Sequence, residues 1–274
     1  MSLFAVTHHV YLSLMPSDFA GSTEALADRL DSPLAEIAWY TQLAQRYAPG
    51  SQVWAGENGP IGGGDDGTCG KATICGKYGS AVWYADDMGL RSKYGFVQHN
   101  RQDLFGGAYG LVNSASMAMA LGAVEPVAIK PDFWINFIWK RALGASVHNA
   151  TASSRDVRAY AFSGAPPSPF AEPACSGAPL QLLLINLRNA TAAVALPPAA
   201  GVTSYSLWAL APSDGTPMST TATLNGVALP AVLDVSKGNP DFLRRIAAPA
   251  ATGSVAAPLS LPPLATAFVC YCAQ

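Results

Sequence analysis

The chain has 274 residues, half of them hydrophobic and 12% charged, a balance opposite to that of disordered chains, so most of it should pack, as one large domain or two ordinary ones. Sixteen Lys and Arg against eighteen Asp and Glu give a formal charge of -2, so no basic field is available for nucleic acid or anionic lipid. The longest apolar runs, residues 180–187 and 264–271, are too short to cross a bilayer, and the first nine residues lack the basic and apolar regions of a signal peptide.

Residues 4–14 read as an apolar strand. Helical spacing follows over residues 22–47, where Ala25, Leu26, Leu30, Leu34, Ile37, Ala38 and Leu43 recur on one face. Residues 52–55 form a second strand that enters a glycine-rich loop over residues 56–70. A helix over residues 78–90 comes next, stopping near Gly89. Residues 96–100 open a third unit with loop glycines Gly106, Gly107 and Gly110, and Pro131 starts a helix through Leu143 that closes at Gly144. Three strand–helix alternations in a row imply a parallel βα architecture.

From Val157 the pattern changes to short apolar strands over residues 157–162, 180–186, 203–210 and 265–272, separated by Pro, Gly and Ser clusters. Such a pattern predicts an all-β domain of sandwich type. Residues 164–179, rich in Pro, Ala and Ser, read as a long surface loop. The expected division is residues 1–150 for the βα part and 151–274 for the β part.

Five cysteines, Cys69, Cys75, Cys175, Cys270 and Cys272, allow at most two disulfides. Their spacing is poor for zinc, and no metal is expected. Two triplets, Asn149-Ala150-Thr151 and Asn189-Ala190-Thr191, are N-glycosylation sequons, relevant if the chain enters the secretory route.

One carboxylate stands out. Trp54-Ala55-Gly56-Glu57 places Glu57 at the carboxyl end of the second strand, the face on which barrel enzymes carry their active sites. In glycoside cleavage a Glu there suits either the ionised nucleophile or the protonated acid/base, and a loop-capping carboxylate is the plainer alternative.

Six strings taken in order carry a family resemblance. They are Val6-Thr7-His8-His9-Val10-Tyr11; Val53 to Glu57; Trp83-Tyr84-Ala85-Asp86-Asp87-Met88-Gly89-Leu90; the run from Arg101-Gln102 through Tyr109 to Leu111; Pro131-Asp132-Phe133-Trp134; and Leu182 to Leu187. Together they resemble glycoside hydrolase family 79, the heparanases and plant heparanase-like β-glucuronidases. Beyond Asn189 the match loosens, returning at Leu224-Asn225-Gly226 and the final strand.

The resemblance implies the last three βα units of a (β/α)8 TIM barrel followed by a carboxy-terminal β-sandwich domain. It implies that Glu57 is the nucleophile of a retaining glycosidase attacking the anomeric carbon of a glucuronide in an acidic glycan. Tyr11 would hold the Glu57 carboxylate by a hydrogen bond. Gly62 and Gly63, with Gly64, would offer backbone N–H groups to the sugar carboxylate, and Gln102 and Tyr109 would add neutral donors. Arg101 would anchor its strand. No metal or organic cofactor is implied, and the compartment would be extracellular, cell-wall, or a lysosomal or vacuolar lumen. His8 and His9 read as packing or tautomer-fixed groups, because a retaining mechanism uses carboxylates. Asp86 and Asp87 read as a salt bridge or cap, Trp134 and Trp139 as core.

Three departures stand beside the resemblance. The family's acid/base glutamate lies in an Asn-Glu pair on an earlier strand, and here Glu24, Glu36, Glu125 and Glu172 all lack a preceding Asn. Retaining hydrolysis needs two carboxylates about 5 Å apart, so this chain is expected to be a fragment, nearly inactive alone, with an N-terminal half supplying the acid/base. After Glu57 the family carries a Tyr where this sequence has Asn58-Gly59-Pro60-Ile61, which removes one carboxylate donor and loosens uronate preference. The strand ending at Ser163 lacks the family's frequent Cys, and Cys175 could substitute by pairing with Cys270 or Cys272. The alternative function is a non-catalytic glycan-binding or partner chain on the same scaffold.

Overall fold

The computed structural model describes residues 3–62, 69, 72–104, 110–114, 127–168, 172–233 and 251–273. Its first half contains β1 (Ala5–Tyr11), α1 (Pro16–Ala20), α2 (Thr23–Asp31), α3 (Leu34–Tyr47), β2 (Gln52–Gly59), α4 (Tyr78–Lys93) and β3 (Phe96–Arg101). The three strands form a parallel sheet in the order β1-β2-β3, as the βα alternation predicts.

Two helical expectations change. The single helix over residues 22–47 is two helices, because Pro33 has no N–H to continue the ladder and its ring crowds the preceding turn. Ser22 caps α2 by accepting from the Ala25 N–H at 3.1 Å. Conversely, α4 does not stop at Gly89 but runs to Lys93, followed by Gly95 at φ +89°. Gly89 is a packing notch: a Cβ there would enter the ring of Tyr160.

The rest of the chain contains β4 (Val112–Ser114), β5 (Val127–Ile129), α5 (Pro131–Ala142), β6 (Ser146–His148), β7 (Val157–Ser163), β8 (Gln181–Asn186), β9 (Ala192–Val194) and β10 (Val202–Pro212). It continues with β11 (Ala222–Leu224), β12 (Val227–Ala228), β13 (Val232–Leu233), β14 (Ala251–Ser254), β15 (Leu259–Leu261) and β16 (Thr266–Ala273). An eight-stranded antiparallel sheet runs β12-β11-β10-β16-β8-β7-β6, with β14 also on β10. A ribbon of β9 and β15 and a small sheet of β13, β5 and β4 complete it; the short strands β4 and β5 were not expected from sequence.

Alternation along these strands sends side chains to two faces. Tyr160, Phe162, Leu183, Ile185, Trp208 and Phe268 join one core with Trp83, Trp134 and Ile138 of α4 and α5. Ala161, Leu182, Leu184, Leu207, Val269 and Tyr271 form a second core with Leu259 and Leu261 of the ribbon. β8 is consequently buried along its whole length. Among the described residues no helix is long and apolar enough to cross a membrane.

The expected surface loop over residues 164–179 is anchored over its described residues 172–175. Glu172 is buried in an ion pair with Arg141 of α5, and Cys175, fully buried, is bridged to Cys270 of β16. A second disulfide joins Cys69 and Cys75, and Cys272 carries a free thiol.

Two stability outcomes follow from this packing. Gly89→Ala is expected to destabilise by about 1–3 kcal/mol, against the usual gain of Ala in a helix, because the methyl must displace Tyr160. Replacing Cys175 and Cys270 by Ser, across their separation of 95 residues, is expected to cost about 2–4 kcal/mol. Urea denaturation of each variant measures both.

Candidate active site

The site begins with a bulge in β2. His8 pairs with Ala55, His9 with Glu57 and Val10 with Asn58, so Gly56 has no counterpart on β1. Ala55 and Asn58 are both buried, and between them Glu57 emerges on the open face of the sheet. Gly56 is needed there, since a Cβ would stand 2.9 Å from Thr7 Cβ and 3.2 Å from the His9 ring. The glycine-rich loop expected from residue 56 therefore starts later: the strand continues through Gly59, and Glu57 lies within it.

Glu57 has a neighbour for each carboxylate oxygen. The Tyr11 hydroxyl donates to Oε1, and His9 Nδ1 lies 3.6 Å from Oε2. The Glu57 side chain keeps 33% of its exposure and that of His9 58%, so the group is held but open to solvent. Gly62 lies against Tyr11, where a Cβ added to it would stand 3.6 Å from Tyr11 Cβ. Gln102 stands at the end of β3, joined to β2 by its N–H to the Asn58 carbonyl at 2.9 Å. Gly63, Gly64 and Tyr109 lie outside the described residues. Tyr11, Glu57 and Gly62 thus come together, with Gln102 on the neighbouring strand end.

Arg101 is an anchor. Its buried guanidinium pairs with Asp132 at 3.0 Å, and Asp132 also accepts from Ser80 at 3.0 Å. The same guanidinium lies 5.6 Å from the Trp83 ring and 5.7 Å from that of Tyr84.

The two histidines differ. His8 is buried, hydrogen-bonded to Glu36 at 2.9 Å and stacked on Tyr40, and burial draws its pKa below the usual 6.5. His9 faces Glu57, a neighbour that the packing assignment did not anticipate. The signal was present, since residues 9 and 11 of one strand share a face.

The carboxylates of α4 are structural. Asp86 accepts from Tyr160 at 2.6 Å and from Arg158 at 2.8 Å, and burial raises its pKa. Asp87 pairs with Arg91 and Asn58. Trp134 is fully buried, and Trp139 packs edge-on against Phe162. Asn149 and Asn189 are both exposed. Among the described residues no cluster of three or more His, Cys, Asp or Glu could hold a metal ion.

No family model matches the chain. Over 198 residues it is 27% identical to heparanase-like protein 2 of Arabidopsis thaliana, covering 69% of this chain and 31% of that protein. Over 197 residues it is 28% identical to heparanase of Gallus gallus, covering 69% and 33%. The chain is similar to heparanases, and it spans about a third of the length of these relatives. In structure it resembles the bifunctional glucanase-xylanase CelM2 from a metagenome library, with a TM-score of 0.55 at 14% identity over 99% of this chain and 44% of that one. It also resembles a Paenibacillus polymyxa xyloglucanase from glycoside hydrolase family 44, with a TM-score of 0.54 at 11% identity over 98% and 47%. These structures establish a shared fold with glycoside hydrolases.

One pH dependence arises beside the site. His99 of β3, hydrogen-bonded to Ser92 at 3.1 Å, has its pKa pushed down from 6.5 to about 4 by burial. The folded chain keeps it neutral where the unfolded chain binds a proton, so stability is expected to fall as pH drops from about 6.5 to about 4. Urea midpoints across that window should decline less steeply in His99→Gln than in the wild type.

Proposed function

We propose that this chain carries the nucleophile of a retaining glycoside hydrolase of family 79 type, a β-glucuronidase acting endo or exo on glucuronic-acid-containing glycans. The observation that carries this is Glu57, held by the Tyr11 hydroxyl at the carboxyl end of the middle strand of a parallel sheet. In this reading residues 1–150 are the last three βα units of a (β/α)8 barrel and residues 151–274 a β-sandwich domain. Supporting it, β1 and β3 each pair only with β2 among the described residues, which leaves two edges for further barrel strands.

The Glu57 carboxylate would attack the anomeric carbon as the bond to the leaving oxygen breaks, and that oxygen would take a proton from a second carboxylic acid. Water, deprotonated by the same group, would then cleave the glycosyl ester and restore Glu57. Gly62, Gly63, Gln102 and Tyr109 are assigned to the sugar carboxylate and hydroxyls. The second carboxylate is assigned to an N-terminal portion outside this sequence. In this sequence Glu36 is engaged with His8 and Glu172 with Arg141, Glu24 lies exposed on α2, and Glu125 is outside the described residues. The exposed sequons support an extracellular, cell-wall or lysosomal or vacuolar setting.

The lack of an Asn-Glu pair favours a second reading, a glycan-binding chain without turnover. Glu57→Gln in the complete protein separates the two. Hydrolysis of a chromogenic glucuronide is expected to fall at least about 1,000-fold, with retention of configuration in the wild-type product. A loss of less than about tenfold, or inversion, would reject the nucleophile role. Binding of acidic glycans with no turnover in the wild type would establish the second reading.

A further inference from the structure

We propose that Asn58, Asp87 and Arg91 form a buried positioning chain that sets the register of the β2 bulge and so aims Glu57 at the open face. The proposal deepens the nucleophile reading above and rests on it for its kinetic consequence only.

Side chains of a strand alternate, so without a bulge Glu57 would share the face of Ala55 and point into the core. The unpaired Gly56 shifts the phase by one residue, which puts Asn58 into the core and Glu57 outside it. Asn58 is fully buried, and its amide donates to Asp87 Oδ2 at 2.8 Å. Asp87 Oδ1 accepts from Arg91 Nε at 2.9 Å, and the Arg91 guanidinium lies 5.2 Å from the ring of Phe96 at the start of β3. The Asn58 carbonyl in turn accepts from Gln102 N–H at 2.9 Å, so one residue ties β2 to α4 by its side chain and to the end of β3 by its backbone.

These buried polar groups are a poor source of net stability compared with apolar packing. Among the described residues, the side-chain oxygen of Asn58 and both terminal nitrogens of Arg91 are buried with no protein hydrogen-bond partner. Apolar residues at these positions would avoid such desolvation costs, and a buried ion pair is a poor source of net stability. What an amide facing a carboxylate provides is direction and register. A hydrophobic side chain at position 58 would enter the core in several positions, whereas the Asn58–Asp87 bond admits one.

The test uses the complete protein. Asn58→Ala removes the bond, and Asn58→Asp sets two carboxylates against each other. The swap Asn58→Asp with Asp87→Asn restores a carboxylate–amide pair at unchanged net charge. Crystal structures of Asn58→Ala and of the swap read the position of Glu57 without any substrate, and turnover of a chromogenic glucuronide reads its consequence. Expected are a displaced Glu57 without its Tyr11 bond in Asn58→Ala, kcat lowered about 10–100-fold with KM within about threefold, and recovery of at least tenfold of the Asn58→Asp loss in the swap. Should Asn58→Asp fail to fold while the swap folds with Glu57 bound to Tyr11, the pairing is likewise supported. Glu57 keeping its Tyr11 bond in Asn58→Ala, or a swap no better than Asn58→Asp alone, overturns the proposal. Failure of the nucleophile reading has a different mark: a displaced Glu57 with undiminished turnover.

Discussion

The structure is organised around α4, a helix buried from Tyr78 to Ser92 between the parallel sheet and the antiparallel one. Such a helix has no solvent face on which to place its charges, so each must find a partner in the interior. Consecutive aspartates do this in different directions. Asp86 takes Arg158 and Tyr160 of β7, while Asp87 takes Asn58 of β2 and Arg91 of its own next turn. The glycine at 89 brings the helix close enough to Tyr160 for the first of these contacts. Removing either partner set would leave a charge buried and uncompensated, which makes the helix position a shared condition of both halves.

The same helix explains why the catalytic candidate is so well placed on a short sheet. Glu57 is itself partly exposed to solvent and lies beside Tyr11 and His9, yet the residues around it are anchored in the core. Asn58 is held from below by α4, and Arg101, ending the neighbouring strand, is locked onto Asp132 with Trp83 and Tyr84 beneath it. The nucleophile role proposed for Glu57 would draw on this division between an accessible group and a rigid support.

Cross-links extend the rigidity to the second half. Glu172 and Cys175, in the proline-rich connection, are fastened to α5 and β16 by an ion pair and a disulfide. The eight-stranded sheet is thereby tied to the helices that also support the parallel strands. Its other face is closed by the β9 and β15 ribbon, whose Leu259 and Leu261 cover Leu182, Leu184 and Val269. Nearly the whole of this chain shares its fold with solved glycoside hydrolases, while its sequence similarity is to heparanases.

Much of this was determined by the sequence alone. Apolar periodicity located the three parallel strands, α4, α5 and the long strands of the antiparallel sheet, because period and local propensity act over neighbouring residues. The string around Glu57 marked the candidate site, and the spacing of residues 9 and 11 already put His9 and Tyr11 on one strand face. Tertiary structure alone decided the rest. Gly89 reads locally as a helix stop and is a contact notch, because the Tyr160 ring that fills it lies 71 residues away in sequence (160 minus 89). Gly56 reads as the start of a loop and is a bulge, because the ladders on both sides continue past it. Which cysteine meets Cys175, and which partners Asp86 and Asp87 take, were likewise set by strand order and packing. Such pairings depend on residues brought together only when the chain closes on itself, and local pattern carries no record of them.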